Sequence, residues 1–196
     1  MRPLLFLVTP LVAAALCGCA SSPQARFYTL SPQSAQARQS DTAPVSVVIG
    51  PVSVPQLVNR PQIAVRASSN QVTFNEFDRW AEPLDNQISG VVATDVGRLL
   101  NTSRVSTYSL TADPADSYRV RIIVQSFEGS LGQAATIEVL WSVQPPKSAE
   151  RVTGRTNVSE PASGPDYDAL VAAWSRALGV VSCDIALVIH AAHPSH

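Results

Sequence analysis

The sequence predicts an α+β domain, in which a mostly antiparallel sheet of about seven strands has two main helices packed on it. Several short segments are rich in β-branched residues or alternate apolar with polar residues, as strands do. Two longer segments repeat apolar residues at three- and four-residue steps, which is the period of a helix with one buried face. Three consecutive strand segments in the second half of the chain indicate an antiparallel meander.

The first predicted strands lie in the N-terminal half of the chain. Residues 45–49 form a β-branched segment, which Gly50-Pro51 interrupts before residues 52–54. Because proline has no N–H to donate, a regular central ladder is not expected at this interruption. Residues 62–67 and 71–74 flank a short polar turn and therefore predict a hairpin.

Two helices are predicted from their apolar stripes. The first covers about residues 83–100, with Pro83 suited to its first turn and Glu82 at the positive end of its dipole. The second covers about residues 166–189 and follows Pro165. The first stripe contains Leu84, Ile88, Val91, Val92, Val96, Leu99 and Leu100, and the second contains Leu170, Trp174, Leu178, Val181, Ile185 and Val188.

The remaining strands lie between the two helices. Residues 105–110 predict a short strand, and residues 118–125 and 135–143 alternate apolar with polar side chains. A turn at Pro145-Pro146 leads to the last strand, at residues 152–158. The alternation predicts a sheet with one buried face and one face in water.

The N-terminus has the features of an export signal. Arg2 precedes an apolar run over residues 4–15, which is too short to span a bilayer as a mature helix. The next four residues, Leu16-Cys17-Gly18-Cys19, resemble a bacterial lipobox, and the resemblance implies that Cys19 is lipidated and becomes the first mature residue. Cys17 fits less well, because Leu16 is too large for the small-residue position. The alternative is an ordinary secretory signal that is cut near Ala20 or Ser21.

The segment after Cys19 is expected to be a tether. Residues 27–30 are apolar, have the composition of a short strand and are expected to dock on the folded domain. Residues 31–44 are rich in Ser, Gln, Ala and Pro, and as an extended linker they would reach about 40 Å and hold the domain clear of the lipid headgroups. The expected organisation is a signal peptide at 1–18, a lipidated tether and linker at 19–44, a folded domain at 45–189 and a flexible tail at 190–196.

Composition excludes several classes of function. The formal net charge is −1, and loss of Arg2 with the signal makes it more negative, so no nucleic acid is expected as a partner. Of the three cysteines, Cys17 leaves with the signal and Cys19 carries lipid, so Cys183 has no intrachain disulfide partner. Since Cys183 falls in the apolar pattern of the second helix, we expect it to be a small buried residue and not a reactive thiol.

The chain offers little material for catalysis. Its three histidines all lie in the last seven residues, as His190, His193 and His196. Because the body of the chain contains no histidine, a Ser-His-Asp triad is not expected. Because Pro194 breaks the helix between His193 and His196, a metal site is not expected either. Glu76 and Asp78 are an acid-base pair in principle, but beside Arg79 they are expected to be exposed carboxylates in a solvated ion-pair cluster.

Four motifs carry a resemblance to a known family. They are Phe27-Tyr28-Thr29-Leu30, then Ile49-Gly50-Pro51-Val52 with Val54-Pro55, then Arg60-Pro61-Gln62-Ile63, then Phe77-Asp78-Arg79-Trp80-Ala81-Glu82-Pro83-Leu84. Their order and spacing, together with the lipobox, resemble the PqiC (YmbA-like) lipoproteins, which are ABC-type transport auxiliary lipoprotein components of MCE intermembrane transport systems. The resemblance runs from Cys19 to about Ile189, so that residues 45–189 would be the domain of that family.

The resemblance implies an outer-membrane lipoprotein on the periplasmic face that works with an MCE-domain protein of the inner membrane in lipid transport. It implies a homo-oligomer and a protein that is not an enzyme, with no cofactor or metal besides the covalent lipid on Cys19. Ala20, directly after the lipidated cysteine, fits sorting to the outer membrane. The alternatives are a lipoprotein that itself binds and carries a lipid or a small apolar ligand, and a hydrolase, for which a nucleophile-base pair is missing.

The candidate partner interface consists of Arg60, Pro61, Gln62, Asp78, Arg79, Trp80 and Glu82. One interpretation makes this region a strand-to-helix connector, in which Trp80 closes the sheet edge and Arg79 pairs locally. The other makes Arg60, Arg79 and Trp80 a contact surface, because Trp and Arg are enriched at interface hot spots. Both interpretations hold together if the ring of Trp80 is partly buried, as we expect.

Overall fold

The structure is a computed structural model that describes residues 23–33, 45–107 and 116–192. Within these ranges two helices and two mixed sheets confirm the α+β class. The strands are β1 (Arg26–Tyr28), β2 (Val47–Ser53), β3 (Gln62–Ser68), β4 (Gln71–Trp80), β5 (Val105–Thr107), β6 (Tyr118–Gly129), β7 (Ala134–Gln144) and β8 (Val152–Pro161). The helices are α1 (Leu84–Leu99) and α2 (Tyr167–Ala192).

The larger sheet has five strands in the order β5-β2-β6-β7-β8, and we call it the large sheet. Strands β6, β7 and β8 form the predicted antiparallel meander, with the longest ladders of the fold. Strand β2 instead pairs parallel with both β5 and β6. Its register shifts between Ile49 and Val52, where Pro51 lacks a donor, as predicted. Helix α1 lies in the connection from β2 to β5, as parallel neighbours require.

The smaller sheet has three strands in the order β1-β4-β3, and we call it the small sheet. Strands β3 and β4 form the predicted antiparallel hairpin, and β1 pairs parallel with the other edge of β4. The prediction that residues 27–30 dock on the domain is confirmed. Leu30 is buried, and its N–H donates to Gln87 Oε1 over 2.8 Å.

Both helices pack on the inner face of the large sheet, where alternate residues of β6 and β7 are buried as predicted. The stripe of α2 supplies Leu170, Trp174, Leu178, Val181 and Ile185. By length and composition α2 is apolar enough to cross a membrane, but more than half of that apolar stretch is buried inside the fold. We therefore describe α2 as the core helix of the domain.

Trp80 joins the two sheets within this core. Its side chain is only 5% exposed, so the expectation of a partly buried ring is wrong. Its ring centroid lies 5.8 Å from that of Trp174 and 6.2 Å from that of Phe127, and those two rings stack at 4.7 Å. The cause is a register shift in β6 after Val124, which turns Phe127 inward toward the end of β4.

Two further expectations are corrected. Cys183 is exposed, because it follows the buried pair Val181 and Ser182 on α2 and faces away from the sheet. Helix α2 continues to Ala192, so His190 is helical and exposed, whereas residues 193–196 lie outside the described part.

The start of the predicted linker is fixed to the domain. The N–H of Ser31 donates to Ser175 Oγ over 3.1 Å, and Arg98 Nη1 donates to the carbonyl of Gln33 over 3.0 Å. Residues 34–44 lie outside the described part, and Val45 is already buried. Residues 31–33 therefore belong to the docked part of the chain, and the role predicted for the rest of the linker stays a prediction. The chain between Cys19 and Arg26 is what joins the predicted anchor to the fold.

Candidate functional site

The sequence-predicted interface residues come together at the end of the small sheet where β4 ends and β3 begins. The N–H of Trp80 donates to the carbonyl of Pro61 over 2.7 Å, and Gln62 pairs with Arg79 across the strands. The N–H of Ala81 donates to the carbonyl of Tyr28 over 2.9 Å, which adds the end of β1. Of the predicted residues, Asp78 and Trp80 are buried and therefore offer no side-chain surface in this structure.

Asp78 is the centre of a clamp that fixes β1 to β4. Its carboxylate is fully buried and accepts hydrogen bonds from Arg26 Nε at 2.8 Å, Arg26 Nη2 at 2.9 Å and the Tyr28 hydroxyl at 2.9 Å. The expectation of an exposed carboxylate is thus wrong for Asp78. A carboxylate can be buried only with such partners, and the bidentate guanidinium pair is the strongest of them. We call Arg26, Tyr28 and Asp78 the clamp.

The electrostatics of the clamp favour one protonation state for Arg26 and one for Tyr28. The hydrogen bond and the charge of Asp78 raise the pKa of Arg26. Burial, together with the hydrogen bond to Asp78, raises the pKa of Tyr28 to about 12. Tyr28 is therefore a neutral donor and Arg26 a cation at physiological pH, which suits a structural clamp better than proton transfer.

A second polar cluster lies beside the clamp, around Glu76. Its Oε2 accepts from Gln62 Nε2 at 2.9 Å and from Arg79 Nη2 at 3.1 Å, and Arg79 Nε also donates to its carbonyl at 2.7 Å. The hydrogen bond from Gln62 is the largest cause that lowers the pKa of Glu76; burial opposes it, and the hydrogen bond and charge of Arg79 add to it. The local pairing of Arg79 is thus confirmed.

Three predicted residues are exposed at the same end of the small sheet, namely Arg60, Pro61 and Glu82. The guanidinium carbon of Arg60 lies 4.0 Å from the ring centroid of Phe74, a cation-π contact that holds the side chain in place. We call Arg60, Pro61 and Glu82 the distal surface. It is the part of the predicted interface that a partner can reach.

The two carboxylates of this region, on Glu76 and Asp78, are engaged in ion pairs. Among the described residues, no group of three or more His, Cys, Asp or Glu side chains is placed to hold a metal. The carboxylates of Asp78 and Glu76 are each engaged by an arginine, which leaves neither as a free general base.

Sequence reasoning missed Arg26 and the exposure of Phe27 and Phe77. Arg26 lies 52 residues before Asp78, and only the register of β1 on β4 brings them together. The side chains of Phe27 and Phe77 are 65% and 38% exposed. The apolar run at residues 27–30 predicted docking, but gave no sign of which side chain faces water.

Comparison with known proteins agrees with this architecture. The family model described as "ABC-type transport auxiliary lipoprotein component" matches residues 28–186. A crystal structure of an uncharacterized protein has a TM-score of 0.69 at 18% identity and covers 85% of this chain and 99% of its own. Protein XCC0632 from Xanthomonas campestris, a DUF330 protein, has a TM-score of 0.63 at 21% identity and covers 83% and 93%.

At these identities the two solved structures support the fold alone. No curated protein sequence matches the chain. The family model, in contrast, spans most of the chain, from β1 to near the end of α2. The chain therefore belongs to the family of ABC-type transport auxiliary lipoprotein components.

Proposed function

We propose that this protein is an outer-membrane lipoprotein that docks an MCE-domain protein of the inner membrane during lipid transport and so supports envelope integrity. The observation that carries the proposal is the match of the family model over residues 28–186. The lipobox ending in Cys19 supports a lipid anchor on the periplasmic face, and homo-oligomerisation is part of the proposal. No catalytic step is included, because the family is described as a transport component.

We place the partner contact on the distal surface. Arg60 is exposed and held over Phe74, so it offers a cation at low entropic cost. Glu82 is exposed just before α1 and offers a charge of opposite sign. Asp78 and Trp80 support this surface from within, while Gln62 and Arg79 border it.

The experiment that tests this is photo-crosslinking in intact cells. A photoreactive amino acid at position 60 or 82 should capture an MCE-domain protein, identified by its peptides. Arg104, an exposed arginine before β5, is the matched control position and should capture none of it. Normal lipidation with no MCE-domain protein captured at either test position would refute the proposed docking.

The second candidate function, in which the protein itself binds a lipid, is favoured by a groove on the outer face of the large sheet. Its volume is about 580 Å³, and Ile123 and Leu140 lie in it between Arg121, Arg151 and Arg155. That volume lies within the range of small-molecule sites, about 300–1,000 Å³. Mass spectrometry of the purified protein should find a stoichiometric non-covalent lipid if this candidate is right.

A further inference from the structure

The exposed phenylalanines of the small sheet lie beside the point where the tether enters the fold. We propose that Phe27 and Phe77, which we call the aromatic face, rest on the surface of the membrane that holds the lipid anchor. The proposal rests on lipidation of Cys19 and adds an orientation to the proposed function, because it turns the end of the small sheet where β1 begins toward the lipid and the end where β4 stops away from it.

The two side chains share one face of the small sheet. Phe27 is paired with Arg79 across β1 and β4. Phe77 precedes Arg79 by two positions on β4, so its side chain projects to the same side, diagonal to Phe27. Side chains on the opposite side, those of Asp78 and Trp80, are buried. Two neighbouring exposed phenylalanines form a small apolar patch, and contact with another apolar surface would remove it from water.

The length of the tether indicates which surface contacts the two phenylalanines. Seven residue steps separate Cys19 from Arg26, which at full extension reach at most about 25 Å. A compact domain of this size is on the order of 40 Å across. The start of β1 is therefore closer to the bilayer than the domain is wide, and the surface around it faces the headgroups.

The clamp sets the direction in which the tether leaves. Arg26 and Tyr28 are both bonded to the buried Asp78, so β1 cannot swing away from β4 without exposing that carboxylate. Because β1 runs parallel to β4, the residues before Arg26 leave on the side of Phe77, while the distal surface follows Trp80. Strand β4 ends at Trp80, three residues after Phe77, and Pro61 and Glu82 lie at that end. The guanidinium of Arg60 extends back along β4 to the ring of Phe74.

The chemistry of the aromatic face suits a membrane surface. Aromatic side chains and arginine stems partition into the interfacial region of a bilayer, where apolar and polar groups are both satisfied. Arg26 begins β1, and its side chain projects to the side of Asp78, opposite to Phe27. It is 63% exposed and can contact lipid phosphates at the edge of the aromatic face while it keeps its bond to Asp78.

Depth-dependent fluorescence quenching tests the orientation. Lipidated Phe77→Cys protein, in a Cys183→Ser background, carries an environment-sensitive probe in vesicles of phosphatidylethanolamine and phosphatidylglycerol. Lipids brominated near the headgroup should quench this probe severalfold more than a probe on the native Cys183, which is exposed on α2. Phe27→Ser should reduce the quenching at position 77, whereas Leu187→Ser, at an exposed leucine of α2, should not.

The outcomes separate this inference from the proposed function. The mass of the N-terminal peptide reports acylation of Cys19 by itself, and absence of acylation overturns both. Acylated protein with equal quenching at positions 77 and 183 overturns the orientation and leaves the docking proposal standing. A photo-crosslink from position 77 to the MCE-domain protein or to a second copy assigns the aromatic face to a protein interface and likewise overturns it.

Discussion

Replacement of Trp80 by alanine tests whether this side chain acts through the core. The indole is 5% exposed and packs against the rings of Phe127 and Trp174, which join the two sheets. A buried tryptophan removes about 150–250 Å² from water, worth ~4–6 kcal/mol at ~25 cal/mol per Å². Measured losses for such substitutions are ~3–5 kcal/mol, so we expect ~4 kcal/mol. For a domain of this length that lowers Tm by roughly 10 °C.

Thermal and urea unfolding of unlipidated protein without its signal peptide measure this loss. Phe27→Ala is the matched control, because that ring is 65% exposed on the strand next to β4 and should cost within ~1 kcal/mol. If Trp80→Ala protein melts within about 2 °C of wild type, the reasoning from burial is refuted. A normal Tm combined with lost crosslinking to the MCE-domain protein would make Trp80 a contact residue instead.

Three further predictions concern the anchor and two titrating groups. Cys19→Ser should abolish metabolic labelling with a fatty acid, because the thiolate is the nucleophile, and continued labelling would place the lipid elsewhere. Burial raises the pKa of Asp95 above 3.8, against the lowering effects of a backbone hydrogen bond at Gln33 and of the charge of Arg98, whose Nη1 lies 3.8 Å from Asp95 Oδ1. Ionisation of Asp95 therefore lowers the stability of the fold. Asp95→Asn should raise Tm at pH 7 but not near pH 3.8. Equal changes in Tm at the two pH values would contradict this. The raised pKa of Tyr28 contributes stability that is present below pH 10 and is lost toward about pH 12. In urea unfolding, the free energy of unfolding should therefore fall more steeply over that pH range for wild type than for Tyr28→Phe.

The proposed orientation of the domain on the membrane would change what the tether does. A linker of the length first expected would let the domain sample many orientations above the membrane. With β1 fixed by the clamp, the free chain is reduced to the residues before Arg26. Asp78→Ala would therefore remove the bonds from Arg26 and Tyr28 that hold β1 to β4, and would lengthen the proposed tether.

Local patterns in the sequence were enough to predict the secondary structure and the family. The alternation in β6 and β7 has the period of a strand, and the apolar stripes of α1 and α2 have the period of a helix. These periods depend only on which side chains of one element face the core, and not on which other elements form it. The lipobox and the Arg-Trp-Ala-Glu-Pro run are likewise contiguous in the chain, so they are visible without a structure.

The pairing and packing of these elements became visible only in the tertiary structure. Periodicity says that a strand has a buried face, but not which strand lies beside it, so the parallel pairing of β1 with β4 and of β2 with β6 had no local signal. The first pairing brings Arg26 to the buried Asp78, 52 positions away. It also shortens the chain between the predicted anchor and the first fixed strand. Trp80 is buried for the same reason, because its partners lie on β6 and α2. Such contacts depend on register between distant segments, which no single segment encodes.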